Sequence, residues 1–160
     1  MITQIIGRLV EKNPTQVVVD CNGVGYAINI SLNTFSQIGE EEKIKLYTHL
    51  QVREDAHTLF GFHTPIERSV FLLLISVSGI GASTARTMLS SLEPQQIQRA
   101  IVSEDLNTIK SVKGIGLKTA QRVLIELKDK MMNLFDGEEI QIFENNTNKD
   151  EALSALEVLG

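Results

Sequence analysis

Residues 112–120, which read Val112-Lys113-Gly114-Ile115-Gly116-Leu117-Lys118-Thr119-Ala120, repeat an earlier segment of the same chain. The earlier segment is Val77-Ser78-Gly79-Ile80-Gly81-Ala82-Ser83-Thr84-Ala85, and the two match at Val, Gly, Ile, Gly, Thr and Ala with an offset of 35 residues. In both segments a Gly-x-Gly turn interrupts a helical pattern of apolar residues. The repeat therefore predicts two helical hairpins built on the same plan.

Each predicted hairpin has the features of a phosphate-binding turn. Glycine at both ends of the turn permits a positive φ, and the absent Cβ lets a ligand approach the backbone. The next helix begins at once, so we expect its unpaired N–H groups and positive dipole end to face that ligand. Contacts with phosphates would not depend on base sequence. The candidate DNA-binding residues are Gly79, Ile80, Gly81, Ser83, Thr84 and Arg86 in the first hairpin, and Gly114, Ile115, Gly116, Lys118, Thr119 and Arg122 in the second.

Two structural alternatives account for such turns without DNA. A Gly-x-Gly turn can simply join two packed helices, although its occurrence twice favours a shared function. A helical solenoid can also have a period near 35 residues, but such proteins are built from at least three copies, and only two are present.

The charge of the chain is distributed unevenly. The formal net charge is −5, but residues 1–63 carry −2, residues 64–130 carry +3 and residues 131–160 carry −6. A polyanion is therefore expected to bind the middle segment, which contains both hairpins.

Residues 1–63 are predicted to form a β domain, because apolar and polar residues alternate and β-branched residues are enriched. Asn13-Pro14, Asn22-Gly23 and Gly39-Glu40 mark turns, and Ser31 is the expected N-cap of one short helix over 31–38. Five strands with one helix favour a closed barrel, with a β-sandwich as the alternative. The predicted strands are 5–10, 16–20, 26–30, 44–52 and 58–62.

Residues 64–135 are predicted to form an all-α domain of five helices. It starts at Thr64-Pro65-Ile66-Glu67, which combines an N-cap, Pro at the first helical position and Glu at the third. The other four helices are expected over 82–89, from Pro94, from Ser103 and after Gly116. The last helix has an apolar face made of Ala120, Val123, Leu124, Leu127 and Met131.

The remaining residues divide into two parts. Residues 136–149 are acidic and rich in Asn, which predicts a flexible linker. Residues 150–160 place four apolar residues on one helical face. Because a lone helix of about 11 residues is only marginally stable in water, we expect it to pack on another surface or to belong to a larger unit.

The sequence also indicates where the protein works. No apolar run approaches the ~20 residues of a membrane span. Met1–Gln4 shows no basic region ahead of an apolar segment, so no secretory signal is expected. These features predict a cytoplasmic protein that does not bind membranes.

Several kinds of chemistry are not expected. Cys21 is the only cysteine, which excludes an internal disulfide and a four-Cys metal site. His49, His57 and His63 have no carboxylate or Cys at metal-ligand spacing, so we predict no metal and no other cofactor. The second hairpin lacks the Gly that a phosphate loop requires directly before its Lys-Thr pair, so no ATPase is encoded.

Further segments share their pattern with one family of DNA-binding proteins. Hydrophobic-x-Gly-Ile-Gly-x-x-Thr-Ala is similar to the helix-hairpin-helix motif of proteins that bind DNA without recognising base sequence. The other matching segments are Ile-Gly-Arg-Leu at 6–9, Gly-Val-Gly-Tyr at 23–26, Val-Arg-Glu-Asp-Ala at 52–56, Leu-Phe-Gly-Phe at 59–62, Glu-Arg at 67–68, and 114–128. Nearly the full chain thus resembles the RuvA family of Holliday junction branch-migration proteins. The resemblance implies a multi-domain α+β fold, with an OB-fold-like β-barrel followed by a tandem helix-hairpin-helix domain.

The resemblance also implies roles and partners. Glu54 and Asp55 alone would be a solvated acidic pair in a hairpin loop, but they match a pin that repels the crossing DNA strands at the centre of a tetramer. The implied partners are four-way junction DNA, further copies of the chain in a homotetramer or octamer, the RuvB ATPase and the RuvC resolvase. The chain itself would be a non-catalytic scaffold in DNA recombination and repair.

Two features depart from the family pattern. Ser83 stands where family members often carry Lys, so the first hairpin is expected to contact DNA more through backbone amides than through charge. Residues 150–160 match only the first helix of the three-helix domain that contacts RuvB, which leaves coupling to that motor open.

Two other functions would use the same hairpins. Helix-hairpin-helix DNA glycosylases have a Lys nucleophile and an Asp 18 residues later, and Lys118 and Asp136 have that spacing. Such an enzyme needs a dry pocket for a flipped base, and the chain offers little protein to build one. A plain duplex binder would lack a working acidic pair, and its equal affinity for junction and duplex would distinguish it.

Overall fold

The computed structural model describes residues 1–136. The predicted helix over 150–160 and all of the predicted linker except Asp136 lie outside the described residues. The first part is a closed barrel with strand order β1-β2-β3-β5-β4, so the barrel prediction is confirmed over the sandwich. Its elements are β1 (Gln4–Lys12), β2 (Gln16–Cys21), β3 (Val24–Ile30), α1 (Leu32–Gln37), β4 (Lys43–Val52) and β5 (His57–Phe62).

The barrel closes because β1 pairs with β2 along one edge and with β4 along the other. Val17, Val19, Ile28 and Leu46 are completely buried at its centre. β3 and β5 are parallel, whereas the other paired strands are antiparallel. As predicted, Ser31 caps α1, with its hydroxyl accepting a hydrogen bond from the Thr34 N–H at 3.1 Å.

The second part contains the five predicted helices. They are α2 (Pro65–Ile75), α3 (Ala82–Ser91), α4 (Pro94–Val102), α5 (Leu106–Lys110) and α6, which spans 117–136. The Thr64 hydroxyl accepts from the Glu67 N–H at 3.2 Å, which confirms the predicted start. The Glu67 carboxylate, however, receives its hydrogen bonds from hydroxyl groups of α1 and does not complete a capping box.

The predicted start of α5 at Ser103 is wrong. The Ser103 N–H donates to the Arg99 carbonyl at 2.9 Å, so this residue ends α4. Asp105 caps α5 instead, because its carboxylate accepts from both the N–H and the hydroxyl of Thr108. These bonds lower the pKa of Asp105.

The helical part has its own core, and the barrel contributes to it. The five residues predicted for the apolar face of α6 are all buried. Phe60 and Phe62 of β5 pack on Phe71 of α2, with ring centroids 5.2 and 4.9 Å apart. The two parts of the chain therefore share an aromatic contact. Within residues 1–136, no helix combines the length and the apolar character needed to cross a bilayer.

Candidate nucleic-acid interface

The two Gly-x-Gly turns have the same backbone shape. Gly79 and Gly114, the first glycine of each turn, have φ values of +98° and +93°, which residues with a side chain rarely adopt. Gly81 instead has a φ of −87° as the N-cap of α3, and Gly116 also has no positive φ. Glycine permits a positive φ at both ends of the turn, but only the first glycine of each turn adopts it.

The second glycine of each turn leaves room beside the backbone. Gly81 and Gly116 are exposed, and a Cβ at either position would meet no atom within 4 Å. Within the described chain, no side chain caps α3. Ala85 donates to the Gly81 carbonyl and Ala120 to the Gly116 carbonyl, both at 3.0 Å, so α6 begins in the same way as α3. Each turn thus leads into a helix N-terminus that is open to an anion.

The isoleucines between the glycines form the turns. The side chains of Ile80 and Ile115 are buried in the helical core. Their N–H groups donate back to the carbonyls of Val77 and Val112, at 3.1 and 3.2 Å. Neither the side chain nor the N–H group of these two candidate residues is free for a phosphate, so their contribution is to hold the turn in shape.

The structure places the two hairpins side by side. A Cβ built at Gly79 would lie 3.3 Å from the Thr119 hydroxyl oxygen, so the first turn contacts the start of α6. Arg122 Nη1 donates to the Ser78 carbonyl oxygen at 3.1 Å. Thr119 and Arg122, both candidate phosphate ligands, therefore also join one hairpin to the other.

The candidate cations of the two hairpins differ in their surroundings. Lys118 is exposed at the start of α6, and the matching position on α3 is held by the exposed Ser83. Arg86 is half-buried, and its Nη1 lies 3.5 Å from the Thr15 carbonyl oxygen in the β1–β2 turn. Thr84 is also half-buried. The positive charge of the pair is thus concentrated at the second hairpin.

Two further cations were missed by the sequence analysis. Lys113 is exposed in the second turn, where the repeat aligns it with Ser78 of the first turn. Lys110 is exposed in the last turn of α5, directly before the same hairpin. The offset of 35 residues was sufficient to find Lys113, because it shows Lys in the second copy at two positions where the first copy has Ser.

The acidic pair lies on the barrel, in the β4–β5 loop. The Arg53 N–H donates to the Ala56 carbonyl at 2.8 Å and closes a tight turn. Glu54 and Asp55 form the tip of this turn, and both are exposed. Within residues 1–136, neither carboxylate forms an ion pair. The pair therefore presents uncompensated negative charge at the end of a β-hairpin.

The glycosylase alternative does not fit the structure. Lys118 and Asp136 lie near opposite ends of α6, and 18 residues of helix at 1.5 Å each separate them by roughly 27 Å. Both side chains are exposed. One catalytic pocket cannot contain both groups. Within the described part, no three His, Cys, Asp or Glu side chains meet in a way that would hold a metal ion.

Comparison with known proteins identifies relatives along the whole chain. Residues 1–61 match the family described as RuvA N terminal domain, and residues 71–129 match the SAM-like Helix-hairpin-helix tandem. Three similar proteins are each named Holliday junction branch migration complex subunit RuvA. The one from Christiangramia forsetii is 61% identical over all of this chain and 83% of its own length. Those from Flavobacterium psychrophilum and Cytophaga hutchinsonii are 60% and 52% identical, with the same coverage.

Proposed function

The chain belongs to the RuvA family, and on that premise we propose that it binds four-way DNA junctions by their shape and backbone, without recognising base sequence. It holds the junction open as a non-catalytic scaffold for branch migration. The observation that carries this proposal is the side-by-side placement of two matching hairpins, joined by the Arg122–Ser78 hydrogen bond. Two adjacent phosphate-binding turns suit a DNA backbone better than a small ligand.

The hairpins supply the attraction. Backbone N–H groups at the open N-termini of α3 and α6 donate hydrogen bonds to phosphate oxygens, and the glycines let the DNA backbone come close. Lys118, Lys113 and Lys110 add charge at the second hairpin. The first hairpin acts mainly through its amides, because Ser78 and Ser83 carry no charge.

The acidic pair makes the protein prefer four-way junctions to continuous duplex. We propose a homotetramer in which four β4–β5 loops meet near the four-fold axis, with an octamer formed when two tetramers enclose the DNA. Four copies of Glu54 and Asp55 would bring eight carboxylates close together. Their repulsion of phosphates favours a junction, whose strands separate at its centre, over continuous duplex.

The energy for branch migration comes from a partner, for which we propose an ATPase of the RuvB type, with RuvC as a candidate resolvase partner. The test is whether this chain stimulates ATP hydrolysis by RuvB on junction DNA. No stimulation would limit the proposal to the scaffold.

The first experiment is a salt titration of binding to a synthetic four-way junction and to a linear duplex of equal length, with the mass measured by light scattering. We expect tighter binding to the junction and a particle of about 71 kDa, four times the 17.7 kDa chain. A monomer that binds both DNAs equally would contradict the proposal and indicate a plain duplex binder.

A further inference from the structure

A buried carboxylate lies between the barrel and the helical domain. Glu67, in the first turn of α2, has no exposed surface, although a charged side chain is rarely buried without partners. Its neighbours Ser31, the N-cap of α1, and Thr34 of α1 are also buried. Because α1 follows a barrel strand and α2 opens the helical part, the three buried side chains join the two parts of the chain.

In this contact, the hydroxyl groups of Ser31 and Thr34 each donate one hydrogen bond and accept another. The Ser31 hydroxyl donates to Glu67 Oε1, and the Thr34 hydroxyl donates to Glu67 Oε2 at 2.6 Å. Each hydroxyl oxygen also accepts one backbone N–H: Ser31 from Thr34 at 3.1 Å, and Thr34 from His63 at 3.1 Å. Within the described residues, no buried side-chain polar atom lacks a partner. A shift of α2 against α1 would break hydrogen bonds between buried groups, and a buried polar group left without a partner is costly.

Neighbouring residues of α2 contact the barrel from other sides. Arg68 Nη1 donates to the carbonyl oxygen of Thr3, the residue directly before β1, at 2.9 Å. One turn later, Phe71 packs on Phe60 and Phe62 of β5, and on the ring of His49 of β4 at 5.8 Å. Residues 67–71 therefore bind the barrel through a buried polar contact, a surface hydrogen bond and an aromatic cluster.

This contact lies between the two parts of the proposed DNA site. In one direction, β4 and β5 continue from the His49–Phe60 pair to the Val52–His57 pair, three residues or roughly 10 Å further, where the acidic loop begins. In the other direction, α2 leads directly into the first hairpin, which begins two residues after the helix ends. Rotation at the contact would move the acidic pair relative to the hairpins.

We propose that Glu67 is a positioning residue that fixes the distance between the acidic loop and the two hairpins. The inference rests on the proposed function, because that distance affects DNA only if both parts contact the same junction. Glu67 itself is buried and touches no DNA. The buried carboxylate acts by restricting α2 to one orientation on the barrel.

The experiment measures that distance directly, without DNA. Spin labels are attached at Ala56→Cys in the acidic loop and Gln121→Cys on α6, both exposed positions, in a Cys21→Ser background. Labelled chain is diluted with unlabelled chain so that distances between subunits do not contribute. We expect one narrow distance distribution for the parent and a clearly broader one for Glu67→Ala. The distribution of Glu67→Gln should have an intermediate width, because its amide oxygen still accepts a hydrogen bond from one hydroxyl group.

Two controls separate positioning from stability. Ile101→Ala removes buried side-chain volume from the helical core without altering the contact, so the distribution should stay narrow although the protein is less stable. Thr34→Val and Thr34→Ser form a matched pair if Glu67→Ala does not fold. Valine removes the donor to Glu67 Oε2 and should broaden the distribution, and serine keeps the donor and should not.

The same variants are then tested on DNA. We expect Glu67→Ala to lower the preference for junction over duplex roughly tenfold, the size of a typical coupling between two sites, with little change in duplex affinity. A narrow distribution in both Glu67→Ala and Thr34→Val would overturn the inference. A broadened distribution in a protein whose parent shows no junction preference would instead leave the positioning role intact and refute the proposed function.

Discussion

At the scale of single residues, the two glycines of each turn have different tasks. Gly79 and Gly114 are required by the backbone, because φ near +95° is strained for any residue with a side chain. Gly81 and Gly116 have an ordinary φ and open space at the Cβ position, so neither the backbone nor the packing requires glycine there. Their requirement, if the proposed function is correct, comes from the ligand.

This difference predicts that alanine lowers stability at the first glycine of a turn and weakens DNA binding at the second. Gly79→Ala should reduce the free energy of unfolding by more than about 1 kcal/mol, because the new side chain is strained and contacts Thr119. Gly116→Ala should leave stability nearly unchanged but weaken DNA binding, because its Cβ occupies the space of the approaching phosphate. Urea denaturation and junction titration of both variants test this. Unchanged DNA affinity in Gly116→Ala would contradict the phosphate role of that turn.

A second prediction at the scale of single residues concerns Glu67 and the pH dependence of stability. Burial raises the pKa of its carboxyl above the usual 4.5, and the hydrogen bonds from Ser31 and Thr34 offset only part of this shift. The folded protein therefore binds a proton more tightly than the unfolded chain. The stability that the protonated carboxyl contributes is complete below pH 4.5 and is lost as the pH rises through the raised pKa.

The measurement is the free energy of unfolding of the parent minus that of Glu67→Gln, across the pH range. The difference should become less favourable to the parent as the pH rises from 4.5 and then level off. Burial and the charge of Arg68 lower the pKa of His49, so its contribution to stability increases as the pH rises. The subtraction removes this contribution, because His49 is present in both proteins. A difference that grows with pH would show that the hydrogen bonds outweigh burial.

At the scale of elements, the two hairpins share their fold but not their charge. Both turns have a positive-φ glycine, bury one isoleucine and lead into a helix that starts directly after a second glycine. The second copy has lysines at 113 and 118, where the first has serines. The effect of charge on DNA binding can therefore be tested by exchanging lysine and serine at equivalent positions of the two hairpins.

Removing and adding charge at these positions should have opposite effects on the salt dependence. The double variant Lys113→Ser with Lys118→Ser should reduce the slope of log affinity against log salt by about 2, since each lost phosphate contact contributes about 0.9. The double variant Ser78→Lys with Ser83→Lys should increase it. Lys43→Ser with Lys45→Ser changes two exposed barrel lysines and serves as the matched control. Equal slopes in hairpin and control variants would place the DNA elsewhere.

At the scale of the whole molecule, the proposed function requires the barrel and the helices to keep one relative placement. The acidic loop extends from the barrel, whereas the hairpins belong to the helical part, and α2 contacts both. In the proposed tetramer, four such units would surround one junction with a negative centre and a positive rim. In this proposal, selectivity for junctions would be a property of the assembly and not of one chain.

Charge reversal tests this arrangement. Glu54→Lys with Asp55→Lys should leave the fold intact, because both side chains are exposed at a loop tip, but should alter junction binding and strand opening. Glu54→Gln with Asp55→Asn should have a smaller effect in the same direction. Junction titration, duplex titration and light scattering are compared for both. Unchanged junction preference and strand opening in the reversed variant would refute the pin.

The sequence by itself predicted what depends on neighbouring residues. Strand alternation, the Ser31 and Thr64 caps, the apolar face of α6 and the repeated turns are local patterns, because strand and helix periods and caps act within a few residues. The start of α5 was misplaced because Ser103 and Asp105 are both good caps. The RuvA resemblance supplied the barrel type and the acidic pair, which periodicity alone left open.

Only the tertiary structure decided what depends on distant residues. It placed Arg122 on the Ser78 carbonyl, Arg86 near Thr15 and both isoleucines of the turns in the core. It also buried Glu67 against hydroxyls more than 30 positions away. The physical reason is that the role of a side chain in a site depends on the residues that pack beside it. Those residues are often far away in the sequence, and no periodic sequence pattern shows which of them will be in contact.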